Sequence, residues 1–131
     1  MAIERINPGG LSHPPTYSHL VRATGHSTVY ISGQVPVDAE GRLVGGDDFE
    51  AQARQVYENL RTALASVGAG FADVARMTTY VVDYTPELRD IIGRLRLEVM
   101  GDTLAASTLI GVQALAVPSY RIEIEAIAVL D

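Results

Sequence analysis

The last stretch of this chain constrains the fold more than any other. From Tyr120 to Val129 it reads Tyr-Arg-Ile-Glu-Ile-Glu-Ala-Ile-Ala-Val, an alternation at period two. Such alternation marks a strand with two chemically different faces. Ile122, Ile124, Ala126 and Ala128 point one way and need a core. Arg121, Glu123, Glu125, Ile127 and Val129 point the other, so that face begins charged and ends apolar. It suits neither plain solvent nor a plain core, and a pocket or a partner is expected against it.

The elements that supply the core side follow from the rest of the chain. Ala2–Ile6 reads as a short strand, broken by Asn7-Pro8-Gly9-Gly10. Tyr17–Ala23 and Thr28–Gln34 read as two strands joined through Thr24-Gly25-His26-Ser27, a predicted hairpin. A long helix follows Asp47 and Asp48, either of which can cap it, with the stripe Phe49, Ala53, Val56, Tyr57, Leu60, Leu64 and Val67 before Gly68. Val74–Val82 is a strand. A second helix starts near Pro86 with the stripe Leu88, Ile91, Ile92, Leu95 and Val99, and ends at Gly101. Ser107–Leu115 is a strand in which Gly111 suggests a bulge or a close backbone approach.

The predicted fold class is therefore α+β, with about six strands and two helices, in a single domain over residues 1–131. Strands joined by helices favour parallel pairing through right-handed crossovers, which puts both helices on one face. The other face is left with too much apolar surface for a monomer, and self-association through it is expected. The alternative is an N-terminal segment folded over that face.

Composition removes several functions. There is no lysine, which excludes Schiff-base catalysis by a lysine side chain, and no cysteine, which excludes thiolate chemistry and cysteine-bound metals. The net charge of −6 argues against a nucleic-acid partner. No secretory signal or membrane span is read in the chain, so no membrane partner is expected and a cytoplasmic location is the default. His13, His19 and His26 show no metal-ligand spacing, and no metal site is expected.

Several side chains remain for chemistry. Glu123 and Glu125 lie on the mixed face, where burial would raise a carboxyl pKa into the range of a general base. Tyr17 and His19 share a face of the predicted first hairpin strand and offer a hydroxyl and an imidazole to one pocket. Ser32-Gly33-Gln34 ends the next strand, with Gly33 open to the approach of a ligand or backbone. For each of these a packed or solvated structural role competes with the functional one.

Five segments occur together in order: Tyr17-Ser18-His19, Ile31-Ser32-Gly33-Gln34-Val35-Pro36, Gln52–Leu60, Thr78–Asp83 and Ile122-Glu123-Ile124-Glu125-Ala126. In combination the chain resembles the Rid (YjgF-like) family of reactive-intermediate deaminases. The resemblance implies a chorismate-mutase-like α+β fold and a homotrimer with clefts between subunits. It also implies hydrolysis of reactive enamines and imines without cofactor or metal. It implies Tyr17 and Ser32 as pocket residues and Glu123 as the group that activates water. The chain departs from that family where deaminating members carry a carboxylate-clamping arginine, since Ala105-Ala106-Ser107-Thr108 contains none. Ser107 then stands in the substrate pocket in its place, and Arg121, on the strand face of Glu123, is a replacement clamp or a salt-bridge partner. The expected substrate is accordingly not the usual amino-acid-derived imine, and turnover of 2-aminoacrylate should be weak or absent. A non-catalytic metabolite-binding trimer is the second reading, and an endoribonuclease or translation inhibitor a third that the acidic charge disfavours.

Overall fold

The computed structural model describes residues 2–131. In order along the chain come β1 (Ala2–Ile6), β2 (Leu20–Thr24), β3 (Ser27–Gln34), α1 (Phe49–Ala65), β4 (Val74–Val82), α2 (Pro86–Met100), β5 (Ala106–Val112) and β6 (Ile122–Leu130). A single 3-10 turn, Phe71–Asp73, leads into β4.

The final strand is central because both of its edges are paired. The main sheet has the order β3-β6-β4-β5, in which β6 runs antiparallel to both neighbours and β4 and β5 are parallel. The β4–α2–β5 connection is the parallel crossover expected from a helix between two strands. On β6 the alternation does what the sequence requires: Ile122, Ile124, Ala126 and Ala128 are buried. They meet Val56, Tyr57, Leu60 and Leu64 of α1 and Ile92 and Leu95 of α2 in one core. Each such fully buried large aliphatic side chain contributes about 1.5–3 kcal/mol. Val67 is the exception in the α1 stripe: it follows the helix end and is exposed. Asp48 is the cap, accepting from the Ala51 N–H at 3.2 Å.

The N-terminal region departs from expectation. β2 does not form a hairpin with β3; it pairs antiparallel with β1 in a separate two-stranded sheet. The register puts Glu4 opposite Arg22, and the Arg22 guanidinium donates to both Glu4 carboxylate oxygens at 3.0 and 2.9 Å. Strand β3 instead takes β6 as its neighbour, where Val29 and Ile31 face Ala128 and Ala126. The stretch Tyr17-Ser18-His19 precedes β2 rather than belonging to it. Ser18 forms a lone parallel bridge with Ala106 and donates its hydroxyl to the Leu104 carbonyl at 2.6 Å, which fixes Tyr17 beside the start of β5.

Strand β2 of the N-terminal ribbon touches β4 and β6, yet part of the open face of the main sheet stays uncovered. Tyr30 is 77% exposed and Ile110 39% exposed, while Ile127 and Val129 are only half-buried. Both helices pack on the opposite face.

A buried glutamine joins the layers. The Gln52 side chain donates to the Gly46 and Ser119 carbonyls at 2.7 and 3.0 Å and accepts from the Arg121 N–H at 2.8 Å. It thereby sets where β6 begins, and hence where Glu123 stands. We expect Gln52→Leu to cost about 2–4 kcal/mol by leaving these backbone groups unpaired. A urea titration would measure this, with the midpoint falling and the slope unchanged.

Candidate functional site

The side chains singled out from sequence fall into two groups on opposite faces of the main sheet. The first lies on the open face. Glu123 and Glu125 project there from β6, next to Tyr80 of β4, in a shallow hollow closed by Leu115 and Ala116 from the loop before β6. The two carboxylates are not equivalent. The Tyr80 hydroxyl donates a short hydrogen bond to Glu125 Oε1, and that bond, with burial and the nearby carboxylates, raises the Tyr80 pKa. Among the described residues no donor reaches Glu123. Partial burial, and secondarily the charge of Glu125, raises the Glu123 pKa above the usual carboxylate value.

Gly33 belongs to the same group, for a reason the sequence did not give. The β3–β6 register is irregular between Ile31 and Gln34, and the Glu123 side chain lies directly over Gly33. A Cβ at position 33 would stand 1.9 Å from Glu123 Oε2. The space above the glycine is taken by this carboxylate rather than by another backbone. The obstructed atom is the end of a flexible side chain, so Gly33→Ala should displace Glu123 more than it destabilises the fold. We expect a clear loss of any activity that depends on Glu123, with a stability change below about 1 kcal/mol. Parallel rate and melting measurements would check this. Ser32 is exposed beside it, and its carbonyl accepts from Gln34 Nε2 at 3.0 Å.

The second group lies on the helix face at the β5 edge. Tyr17, Ser107 and Leu109 line a cavity of about 400 Å³ beneath α2, together with Ile92, Arg89 and Arg96. The parallel register places Ser107, Leu109 and Gly111 opposite Met77, Thr79 and Val81, which are buried on the helix side. Gly111 produces no bulge; it makes room for Tyr84, whose Cβ would lie 3.3 Å from an added Cβ.

Two expected residues stand elsewhere. The His19 ring is edge-on to Tyr17, with centroids 5.5 Å apart, but its Nε2 is 2.7 Å from the Ser12 carbonyl and its backbone N–H donates to Asn7 Oδ1. It braces the N-terminal loop and lines neither hollow. Arg121 precedes β6, donates from Nε to the Val82 carbonyl at 3.2 Å, and stacks its guanidinium over Phe49 at 5.6 Å. Its side chain is held by the frame around α1, and among the described residues it forms no salt bridge.

Sequence reasoning passed over Arg96. It is 5% exposed, and from α2 it donates to the Ser107 and Thr79 hydroxyls at 2.9 and 3.2 Å. Its spacing carried the signal: Arg89, Ile92, Arg96 and Val99 recur at three and four residues, so a charge sits inside the apolar stripe.

Among the described residues no three His, Asp or Glu side chains converge in a way that could hold a metal ion, and no helix is long and apolar enough to cross a membrane.

Comparison with known proteins agrees with this architecture. The family model described as endoribonuclease L-PSP matches residues 11–130. The crystal structure of YyfB from Yersinia pestis, of the conserved Rid protein family, superposes with a TM-score of 0.93 at 44% identity, covering 99% of this chain and 100% of that one. Protein DfrA of Myxococcus xanthus is 34% identical over 86% of this chain and 84% of its own length. The human 2-iminobutanoate/2-iminopropanoate deaminase is 32% identical over 78% of this chain and 72% of its own.

Proposed function

The chain belongs to the endoribonuclease L-PSP (YjgF/Rid) family, and from that premise we propose that it hydrolyses the C=N bond of a reactive imine, or of an enamine that tautomerises to one, in a cleft between two copies of itself. The observation that carries this reading is Glu123. Among the described residues it is a carboxylate without a hydrogen-bond donor, with a raised pKa, set on a strand next to a second carboxylate already engaged by tyrosine.

A general base requires such a group. Glu123 takes a proton from water as the water oxygen adds to the imine carbon. The C=N π pair moves to nitrogen, which takes up a proton. The resulting carbinolamine collapses to a carbonyl and expels ammonia, so that R₂C=NH and water become R₂C=O and NH₃. In this scheme Tyr17, at the cavity wall, supplies the proton to nitrogen. Ser32 and Ser107 offer hydroxyls to the substrate, one on each face. Neither a metal nor a cofactor enters these steps.

Topology supports placing the cleft between copies. Glu123 lies on the open face and the Tyr17–Ser107 cavity on the helix face, so one copy does not bring them together. The apolar open face supplies the contact, and the assembly we propose is a homotrimer.

The substrate is proposed to differ from the usual amino-acid-derived imine, because the β5 strand carries no arginine at its start. Ammonia release from a panel of imines generated in situ tests the reaction. Absence of turnover across aliphatic and cyclic imines, with ligand binding intact, would replace this reading by a metabolite-binding trimer. Degradation of RNA, abolished by a pocket substitution, would replace it by a ribonuclease.

The pH dependence is also set by Glu123. Its folded pKa is raised, and it acts as a base only when ionised. The kcat/KM should therefore fall as pH decreases through a value above the ordinary glutamate pKa, and Glu125→Gln should move that limb downward by removing a neighbouring charge. A pH–rate profile of both proteins reads this.

A further inference from the structure

The cavity under α2 has an electrostatic character opposite to that of the chain. The protein carries a net charge of −6, yet the cavity is lined by two arginines, Arg89 and Arg96, and by no aspartate or glutamate. Arg96 is the more telling. A guanidinium has five N–H donors and remains charged in any protein environment. Here it is almost wholly buried, and among the described residues its only side-chain partners are the neutral hydroxyls of Ser107 and Thr79. Its Nε–H is buried with no partner at all, and among the described residues no carboxylate forms an ion pair with it. A buried charge without a counter-charge is unfavourable unless something compensates it. Packing alone gives no reason for an arginine at this place, since Leu or Met would fill an apolar stripe between Ile92 and Val99. Arg94 of the same helix shows the contrast: it pairs with Glu50 and Glu98 on the outer surface.

We infer that Arg96 is the anion-binding residue of this cavity, and that the ligand it takes is a small organic acid whose carboxylate completes the guanidinium's hydrogen bonds. This rests on the proposed reading of the site for its link to catalysis, and deepens it by naming a specificity residue. Arg96 reaches the cavity from α2, beside Ser107, and not from the start of β5, so the carboxylate it takes lies in a different orientation, in keeping with a substrate other than the usual amino-acid-derived imine. Arg89, exposed at the cavity and without an ion-pair partner among the described residues, adds attraction for the incoming anion. Tyr17, Ile92 and Leu109 leave an apolar wall for the rest of the acid. The volume of about 400 Å³ suits a small metabolite and not a polymer.

The test uses the full chain in its native assembly, with 2-oxobutanoate as the probe acid and the corresponding amide as its neutral isostere. In ¹⁵N-arginine-labelled protein, the acid should shift the Arg96 Nε–Hε resonance saturably and the amide should not. By calorimetry, Arg96→Met should weaken binding of the acid by about 10-fold or more, with Arg96→Lys between the two. Glu123→Gln should bind the acid as well as the native chain does, although it turns nothing over. Equal response to acid and amide, no response to either, or undiminished binding by a folded Arg96→Met protein would overturn the inference. Should Arg96→Met fail to fold, the resonance titration of the native chain decides alone. Anion binding without imine turnover would sink the proposed reaction and leave this site standing. Turnover with a KM for acidic imines unaffected by Arg96→Met would do the reverse.

Discussion

If the proposed reaction is right, Glu123→Gln is expected to lower kcat for imine hydrolysis by about 10²–10⁴-fold and to make the protein more stable at neutral pH. The rate loss follows from the role of a positioned base. Glutamine keeps the size and the hydrogen-bonding reach of the side chain over Gly33, but it cannot accept the proton of water. The stability gain follows from linkage. The folded-state pKa of Glu123 is raised, so the folded chain holds this proton more tightly than the unfolded chain does. Its contribution to stability is present in full below the unfolded carboxylate pKa and is lost as pH rises through the folded value. At neutral pH the ionised Glu123 is therefore a liability, in a half-buried site beside Glu125, and the neutral amide removes it. The Tm should rise at pH 7, and the gain should shrink as pH falls through the folded carboxyl pKa. The opposed changes in rate and stability separate a catalytic carboxylate from a structural one. Glu125→Gln offers the internal comparison: its loss changes the partner of Tyr80, and its effect on rate should be much smaller. If Glu123→Gln retains full turnover, Glu123 is not the base.

How far the sequence led can be judged from individual residues. The alternation of β6 located both the core and the exposed carboxylates, because a paired strand on a buried core leaves no freedom in which side chain points inward. The helix stripes and the cap at Asp48 were readable for the same local reason. The partner of β2 was not. A short link such as Gly25-His26 permits a hairpin but does not require one, and the choice was made by non-local terms: the Glu4–Arg22 pair across β1–β2 and the fit of Val29 and Ile31 against the alanines of β6. The positions of Arg96 and Arg121 were hidden for a related reason. Both have long side chains whose heads end far from their own backbone. Arg121 shares the parity of Glu123 but lies before β6 begins, and its head turns to Phe49. Arg96 sits on a helix yet delivers its charge to the start of β5, where the sequence, searched strand by strand, shows only Ser107. Proximity along the chain was a poor guide to which charge reaches the cavity.

Two inactive proteins should regain activity when assembled together. The first is Glu123→Gln, which damages the open face only. The second is Gly93→Leu, which fills the cavity from α2 and leaves the open face intact: Gly93 lines the cavity, and a Cβ there would meet only the Thr16 methyl at 3.2 Å. Neither substitution touches the other's face. If each cleft takes Glu123 from one copy and the cavity from its neighbour, a cleft in a mixed assembly is intact when both of its contributors carry the other's damage. Random mixing of equal amounts makes about a quarter of the clefts intact, whatever the number of copies in the ring. The parents assayed separately, or mixed without exchange of subunits, should show almost none. Mild denaturant followed by dilution, or co-expression, would allow the exchange, and light scattering would report the assembly size. The large contrast, from background to about one-quarter of native turnover, makes the outcome decisive. Failure of complementation between parents that demonstrably co-assemble would mean that both halves act within one copy. That would contradict the placement of Glu123 and Ser107 on opposite faces of the same sheet as the basis of the site. Success would mean that the apolar face around Tyr30 and Ile127 is exposed in one copy because it carries half of a site that only a second copy completes.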